Sequence, residues 1–126
     1  MKNNATYVDL IISACKKITE FTTEMDEVKF QSTPIAQSAV MMQLQVIGEV
    51  AKKLEESYRK EIDVPWKLII GLRDLISHDY FSLNLADIWK IVTTNIPELE
   101  KALLQYLDAQ GLSYMPPFDD TSPLME

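Results

Sequence analysis

Apolar residues recur along this chain at intervals of three and four, which is the spacing of one face of an α-helix. The clearest stretches predict four helices, over about 5–29, 34–59, 65–77 and 84–110. Only three glycines occur in 126 residues, so few turn signals separate these stretches. That pattern favours helices over a multi-stranded sheet. We therefore predict an all-α fold, an up-and-down bundle of four to five helices.

The second predicted helix carries two adjacent apolar stripes, and a face this wide contacts more than one partner. It is typical of a central bundle helix or of a dimer face. Gly48 lies inside this helix, where glycine costs roughly 1 kcal/mol relative to alanine. A close approach by another helix would explain the glycine, and simple tolerance is the alternative. The stripe residues are Ala36, Val40, Leu44, Ile47, Ala51, Leu54 and Tyr58, with Ala39, Met42, Val46 and Val50 beside them.

Proline and glycine mark the predicted boundaries. Pro34 occupies a first helical position, Pro97 is expected to kink the last helix, and Gly111 is expected to end it. Residues 1–111 are therefore predicted to form one helical-bundle domain. Residues 112–126 are rich in proline and acidic residues, and we predict a flexible tail there.

The net charge of −7 argues against a general nucleic-acid binder, which needs clustered lysines and arginines. The charge is unevenly distributed, however. Between Lys52 and Arg73 six basic residues face four acidic ones, so this stretch has a net charge of +2. It forms either a solvated helix face with paired charges or, if the chain dimerises, part of a positive groove.

Cys15 is the one cysteine, so no internal disulfide can form, and we interpret it as a buried apolar residue. No secretory signal is apparent at Met1, and no apolar run approaches a membrane span. These features predict a cytoplasmic protein that does not associate with membranes.

His78 is the one histidine, and it follows Arg73 by five positions in Arg73-Asp74-Leu75-Ile76-Ser77-His78. Histidine moves protons near neutral pH, and arginine binds phosphate through a planar set of donors. The two together could cleave RNA without a metal, and no ligand cluster at metal spacing is apparent. We expect no cofactor and no metal. The same pair also fits a histidine that merely interacts with a helix C-terminus.

Residues five apart on an ideal helix lie about 140° apart around its axis, so Arg73 and His78 do not share a face. Two arrangements would unite them. His78 could lie just past the helix end, where the chain has turned, or the two side chains could come from two subunits across a two-fold axis. Asp74, four residues before His78, could orient the imidazole.

Three blocks of sequence stand out together. They are Ile47-Gly48-Glu49-Val50-Ala51-Lys52-Lys53-Leu54, then Pro65-Trp66 through Gly71-Leu72-Arg73-Asp74, and finally His78-Asp79-Tyr80. In this order the blocks resemble the HepT family of HEPN proteins. Ile88-Trp89 and Ile96-Pro97-Glu98-Leu99 resemble the closing helix of the family. Ser77 and Val50 depart modestly from the pattern, and neither removes a reactive group.

The resemblance implies a helical bundle that dimerises, with two R-x-x-x-x-H motifs lining one cleft. It implies a metal-independent endoribonuclease toxin in which Arg73 and His78 are catalytic and Asp74 supports them. It also implies an antitoxin partner, an MntA-like nucleotidyltransferase, that attaches AMP to Tyr80. Adenylate near His78 would repel and block RNA.

Other interpretations remain. Tyr80 could be a packing residue, and Glu49 could serve packing or the site. The leading alternative function is a non-catalytic HEPN module that docks a nucleotidyltransferase, and a purely structural helical dimer is the third.

Overall fold

A computed structural model describes residues 4–117, and in this part of the chain all regular secondary structure is helical. The helices are α1 (Asn4–Phe21), α2 (Glu27–Gln31), α3 (Pro34–Lys53), α4 (Glu56–Glu61), α5 (Trp66–His78), α6 (Leu85–Lys90) and α7 (Ile96–Ala109). A 3₁₀ turn, Tyr80–Ser82, follows α5, and a π-helical segment, Ile91–Asn95, joins α6 to α7. The predicted all-α bundle is confirmed.

α3 is the central helix. It packs against α1 on one side and α5 on the other, and α1 also packs against α7. This position explains why its apolar face is so wide. The buried core combines residues from all the longer helices, among them Val8, Ile11, Ile18, Val40, Ile47, Ile76, Leu103 and Leu107.

The first predicted helix is wrong at its end, because α1 ends at Phe21 rather than near residue 29. The hydroxyl groups of Thr22 and Thr23 donate hydrogen bonds to carbonyl groups of the last turn, and Glu24 takes a left-handed conformation with φ 64°. Asp26 then starts α2, since its carboxylate accepts a hydrogen bond from the Lys29 amide at 2.8 Å. Side-chain competition for backbone groups thus interrupts the apolar periodicity.

The second predicted helix also ends early, at Lys53 instead of near residue 59. Leu54 is extended and buried, and the Glu55 amide donates to the Asn4 side-chain oxygen at 3.1 Å. A contact 51 residues away in sequence therefore stabilises a helix break that periodicity does not reveal. The chain re-enters a helix at α4.

The last predicted helix is an unbroken helical stretch that changes type, from α6 through the π segment to α7. Lys90, Ile91, Asn95 and Ile96 all keep right-handed helical dihedrals, and the Ile96 amide donates to Ile91 five residues earlier. Pro97 cannot donate to the carbonyl four residues before it. The π segment lies directly before the proline, where we predicted a kink.

The predicted tail begins against the bundle. Tyr114 is half-buried with the Lys16 ammonium 5.3 Å from its ring centre, and the Met115 amide donates to Asp9 on α1 at 3.3 Å. Burial raises the pKa of the Asp9 carboxyl, and this hydrogen bond opposes the rise. Residues 118–126 of the predicted tail lie outside the described residues.

Cys15 provides a test of the core. Its side chain is buried on α1, and burial raises the pKa of the thiol to about 12, with nearby Glu100 adding to the rise. The thiol should therefore stay protonated and unreactive at pH 8. We expect native protein to resist a disulfide reagent such as Ellman's reagent, and urea-unfolded protein to react fully. Stoichiometric labelling of folded protein within minutes would contradict this packing.

Candidate functional site

Helix α5 carries the residues singled out from the sequence. The Trp66 indole N–H fixes its start, donating to the carbonyl groups of Arg59 and Ile62, each at 3.0 Å. Arg73 lies in the middle of α5 and His78 is its last residue. His78 and the Asp79 that follows it are exposed. The helix thus presents its histidine to solvent at its C-terminal end.

Arg73 leaves α5 towards α3. A Cβ atom at Gly48 on α3 would overlap the Cβ of Arg73 and would lie 3.0 Å from the Ile69 carbonyl oxygen. The two helices therefore approach closely at this point. Of the two explanations for Gly48 that the sequence left open, the structure supports close approach.

Two carboxylates bracket the Arg73 guanidinium. Its Nη1 donates to Asp74 Oδ1 at 3.1 Å, and its Nη2 lies 3.6 Å from Glu49 Oε1 on α3. Its Nε is buried and has no hydrogen-bond partner. The Arg73 side chain is 24% exposed and that of Glu49 is 54% exposed, so this ion pair reaches the surface although Nε is buried.

These contacts separate roles that the sequence left open. Glu49 lies at the site rather than in the core, and its partner is the arginine. Asp74 contacts Arg73, whereas we predicted that it orients His78. Orientation of the imidazole by Asp74 stays a prediction.

A second contact joins α3 to the end of α5. The Gln45 side-chain amide donates to the Ser77 hydroxyl at 3.0 Å, next to His78. Gln45 was not among the residues predicted from the sequence to lie near the motif. Helical spacing could have indicated it, because Gln45, Gly48 and Glu49 share one face of α3.

Arg73 and His78 belong to one helix. Because α5 continues through His78, the chain does not turn before the histidine, and the two residues project about 140° apart. The first arrangement considered above, with His78 beyond the helix end, is therefore not the one observed.

Tyr80 lies in the exposed 3₁₀ turn after α5. The Ser82 hydroxyl donates to Asp79 Oδ1 at 2.7 Å and closes this turn. Tyr80 is 41% exposed and Phe81 is 98% exposed, and their rings meet edge to face with centres 5.5 Å apart. The tyrosine is thus near His78 in sequence and accessible from solvent.

A groove of about 650 Å³ lies between α5, α3, the π segment and α7, and Leu44 and Ile47 of α3 are among its lining residues. Leu68, Leu72 and Leu75 of α5 line it on one side, and residues of the π segment and α7 line the other. Leu68 and Leu75 are exposed large apolar residues. The α5 helix therefore has an apolar surface next to its polar motif.

Residues 4–117 contain neither a cluster of metal ligands nor a membrane-spanning helix. No group of three or more histidine, cysteine, aspartate or glutamate residues there could hold a metal ion. In the same residues no helix is long and apolar enough to cross a membrane.

The chain is similar to several known proteins. The family described as "Ribonuclease HepT-like" matches residues 11–106. A "Putative RNase" of Caldanaerobacter subterraneus subsp. tengcongensis is 34% identical over 111 residues, covering 87% of this chain and 99% of that protein. A "Putative RNase" of Methanocaldococcus jannaschii is 40% identical over 103 residues, covering 80% and 85%.

A "Probable ribonuclease HepT" of Thermococcus cleftensis is 30% identical over 100 residues, which is 79% of this chain and 91% of that protein. No solved structure is a significant match. The family match spans α5 entirely, together with the α3 face that contacts it. This chain belongs to the HepT-like ribonuclease family of HEPN proteins, and it is a ribonuclease.

Proposed function

We propose that this ribonuclease is a metal-independent endoribonuclease toxin of a toxin–antitoxin pair, with Arg73 and His78 as its catalytic residues. The observation that carries the proposal is the state of Arg73. A guanidinium with a buried Nε and terminal nitrogens held between two half-exposed carboxylates is preorganised to bind an oxyanion. The exposed His78 on the same helix supplies the group that can move protons.

The proposed reaction is transesterification within RNA. The 2′-oxygen attacks the adjacent phosphorus while one imidazole accepts the 2′-hydroxyl proton. The bond to the 5′-oxygen breaks, and the same imidazole, now protonated, gives that oxygen its proton. The products are a 2′,3′-cyclic phosphate and a 5′-hydroxyl. Arg73 stabilises the charge that develops on the phosphoryl oxygens.

Substrate must compete with the carboxylates for Arg73. The Glu49 contact is longer than a hydrogen bond and half-exposed, so this carboxylate is the one that moves aside for phosphate. Because Nε is buried, phosphate approaches through the terminal nitrogens. Asp74 retains its contact and keeps the guanidinium oriented.

The acting unit is proposed to be a homodimer. Within one protomer the helix directs Arg73 and His78 to different sides, so a single α5 does not unite them. A two-fold axis beside α5 would bring Arg73 of one protomer towards His78 of its partner. The exposed leucines on α5 would be buried by such an association.

Control by an antitoxin is proposed to act through Tyr80. The partner is an MntA-like nucleotidyltransferase. The Tyr80 oxygen attacks the α-phosphate of ATP, pyrophosphate leaves, and the phenol proton passes to solvent. The exposed turn makes the residue accessible to a second enzyme. The added adenylate carries negative charge beside His78 and excludes the RNA phosphate.

The catalytic pair is tested by Arg73→Ala and His78→Ala. Each variant should lose at least about 10²-fold in RNA cleavage, because one loses the oxyanion donor and the other the proton-transfer group. Cleavage of total RNA, followed on gels with helical content checked by circular dichroism, gives the measurement. Lys101→Ala removes an exposed charge from α7 and should cleave normally.

Wild-type cleavage should continue in excess EDTA and leave cyclic phosphate ends. A folded wild-type protein that never cuts RNA, or a His78→Ala protein as active as wild type, would refute the assignment. A strict Mg²⁺ requirement would refute the metal-independent mechanism.

A composite site, formed by Arg73 of one protomer and His78 of its partner, is tested by mixing the two inactive variants. Arg73→Ala retains His78 and His78→Ala retains Arg73, so a mixed dimer contains one intact composite site. With random exchange, half of the dimers are mixed and each has one site of two, so about a quarter of wild-type activity should return. Native mass spectrometry measures the mixed dimers. If they form and the mixture stays inactive, each site is contained within one chain.

The antitoxin mechanism is tested on Tyr80→Phe. With the nucleotidyltransferase and ATP, wild type should gain mass in AMP units and lose cleavage, whereas Tyr80→Phe should gain none and keep cutting. Tyr58→Phe, on another part of the surface, is the matched control and should be modified like wild type. An adduct on Tyr80→Phe would refute the site, and a modified wild type that cuts normally would refute the silencing.

A further inference from the structure

Of the three glycines, Gly48 is the one that lies in a close contact between helices. A Cβ added at Gly71 or Gly111 meets no atom within 4 Å, whereas one added at Gly48 overlaps the Arg73 side chain. Because Gly48 has no side chain, the Cβ of Arg73 can lie in the narrow space between α3 and α5, which we call the α3–α5 seam.

The position of the Arg73 Cβ between α3 and α5 determines where the rest of the side chain lies. With Cβ against Gly48, Nε is enclosed, and the terminal nitrogens emerge between Glu49 and Asp74. Moving Cβ outwards by one methyl group would expose Nε and release the guanidinium from this bracket. A catalytic arginine then samples more conformations and loses orientation.

Gln45 contacts the C-terminal end of the motif, at Ser77. Its bond to Ser77 lies at the surface, where a hydrogen bond adds little to the stability of the fold. It nevertheless links α3 to the residue before His78. Gln45 and Gly48 are three apart on α3, and Ser77 and Arg73 are four apart on α5, so one face of α3 contacts both ends of the motif.

We infer that Gly48 and Gln45 are positioning residues, which fix Arg73 and His78 for RNA cleavage without touching the substrate. The inference rests on the proposed function. Gly48 lets the base of the Arg73 side chain lie buried between α3 and α5. Gln45 fixes the last turn of α5 through its hydrogen bond to Ser77.

The test of Gly48 uses an uncommon property of this chain. Arg59 and Arg73 are its two arginines, so ¹⁵N spectra of arginine Nε–H groups contain two signals. In Gly48→Ala the Arg73 signal should shift and exchange faster with water, while the Arg59 signal stays in place. The kcat should fall by about 10²-fold with a smaller change in KM, as expected for lost transition-state positioning.

Ile18→Val is the control for lost stability, since Ile18 is buried on α1 and lies away from the α3–α5 seam. It should lower the melting temperature while leaving the Arg73 signal and kcat unchanged. If folded Gly48→Ala retains both the wild-type Arg73 signal and the wild-type kcat, the inference about Gly48 is wrong.

Gln45→Ala and Ser77→Ala extend the test, and because the hydrogen bond that they remove lies at the surface, both variants should fold. Each should lower kcat and shift the single histidine resonance, and the double variant should be no worse than either alone. Additive losses would show that Gln45 does not act through Ser77, and unchanged kcat with an unmoved histidine signal would overturn its role. If Gly48→Ala does not fold, these variants decide the inference.

The NMR readouts do not depend on activity. A wild-type protein that does not cleave RNA would refute the proposed function, while the Arg73 signal would still report whether Gly48 sets the geometry. Normal wild-type cleavage with an unaffected Gly48→Ala protein would refute the positioning alone.

Discussion

The close packing of α5 on α3 is the constraint on which the site depends. Helix axes can approach closely only where side chains are small, and Gly48 provides that point next to Arg73. The same contact encloses Nε of the arginine, brings Glu49 within reach of the guanidinium, and sets Gln45 opposite Ser77. A glycine that weakens α3 as an isolated helix thus makes possible the tertiary contact that organises the motif.

The surroundings of Arg73 lower the stability of the fold. A buried donor without a hydrogen-bond partner costs roughly 1–3 kcal/mol, and half-exposed ion pairs return little. Stability alone would not favour this arrangement. It would suit the proposed role, in which Arg73 exchanges a carboxylate for a phosphate, because the two carboxylates keep the guanidinium oriented without binding it too tightly.

Charge distribution accounts for an RNA-cutting role in an acidic chain. The net charge of −7 belongs to the whole surface, whereas cleavage requires positive charge at one place. Two carboxylates beside each Arg73 lower the local potential further while substrate is absent. In the proposed dimer, pairing two copies of α5 would concentrate guanidinium and imidazole groups in one cleft, which a single chain would not do.

The sequence by itself determined the helical class and the Arg73–His78 motif, and it narrowed α3 to a central helix or a dimer face, because these depend on local periodicity and residue chemistry. Tertiary structure decided where helices end. Leu54 breaks α3 where it becomes buried and Glu55 binds Asn4, a contact that no local pattern encodes. It also decided that Asp74 and Glu49 face Arg73, and that α5 continues through His78. Helical spacing defines which residues share a face, but only packing selects the neighbour that the face meets.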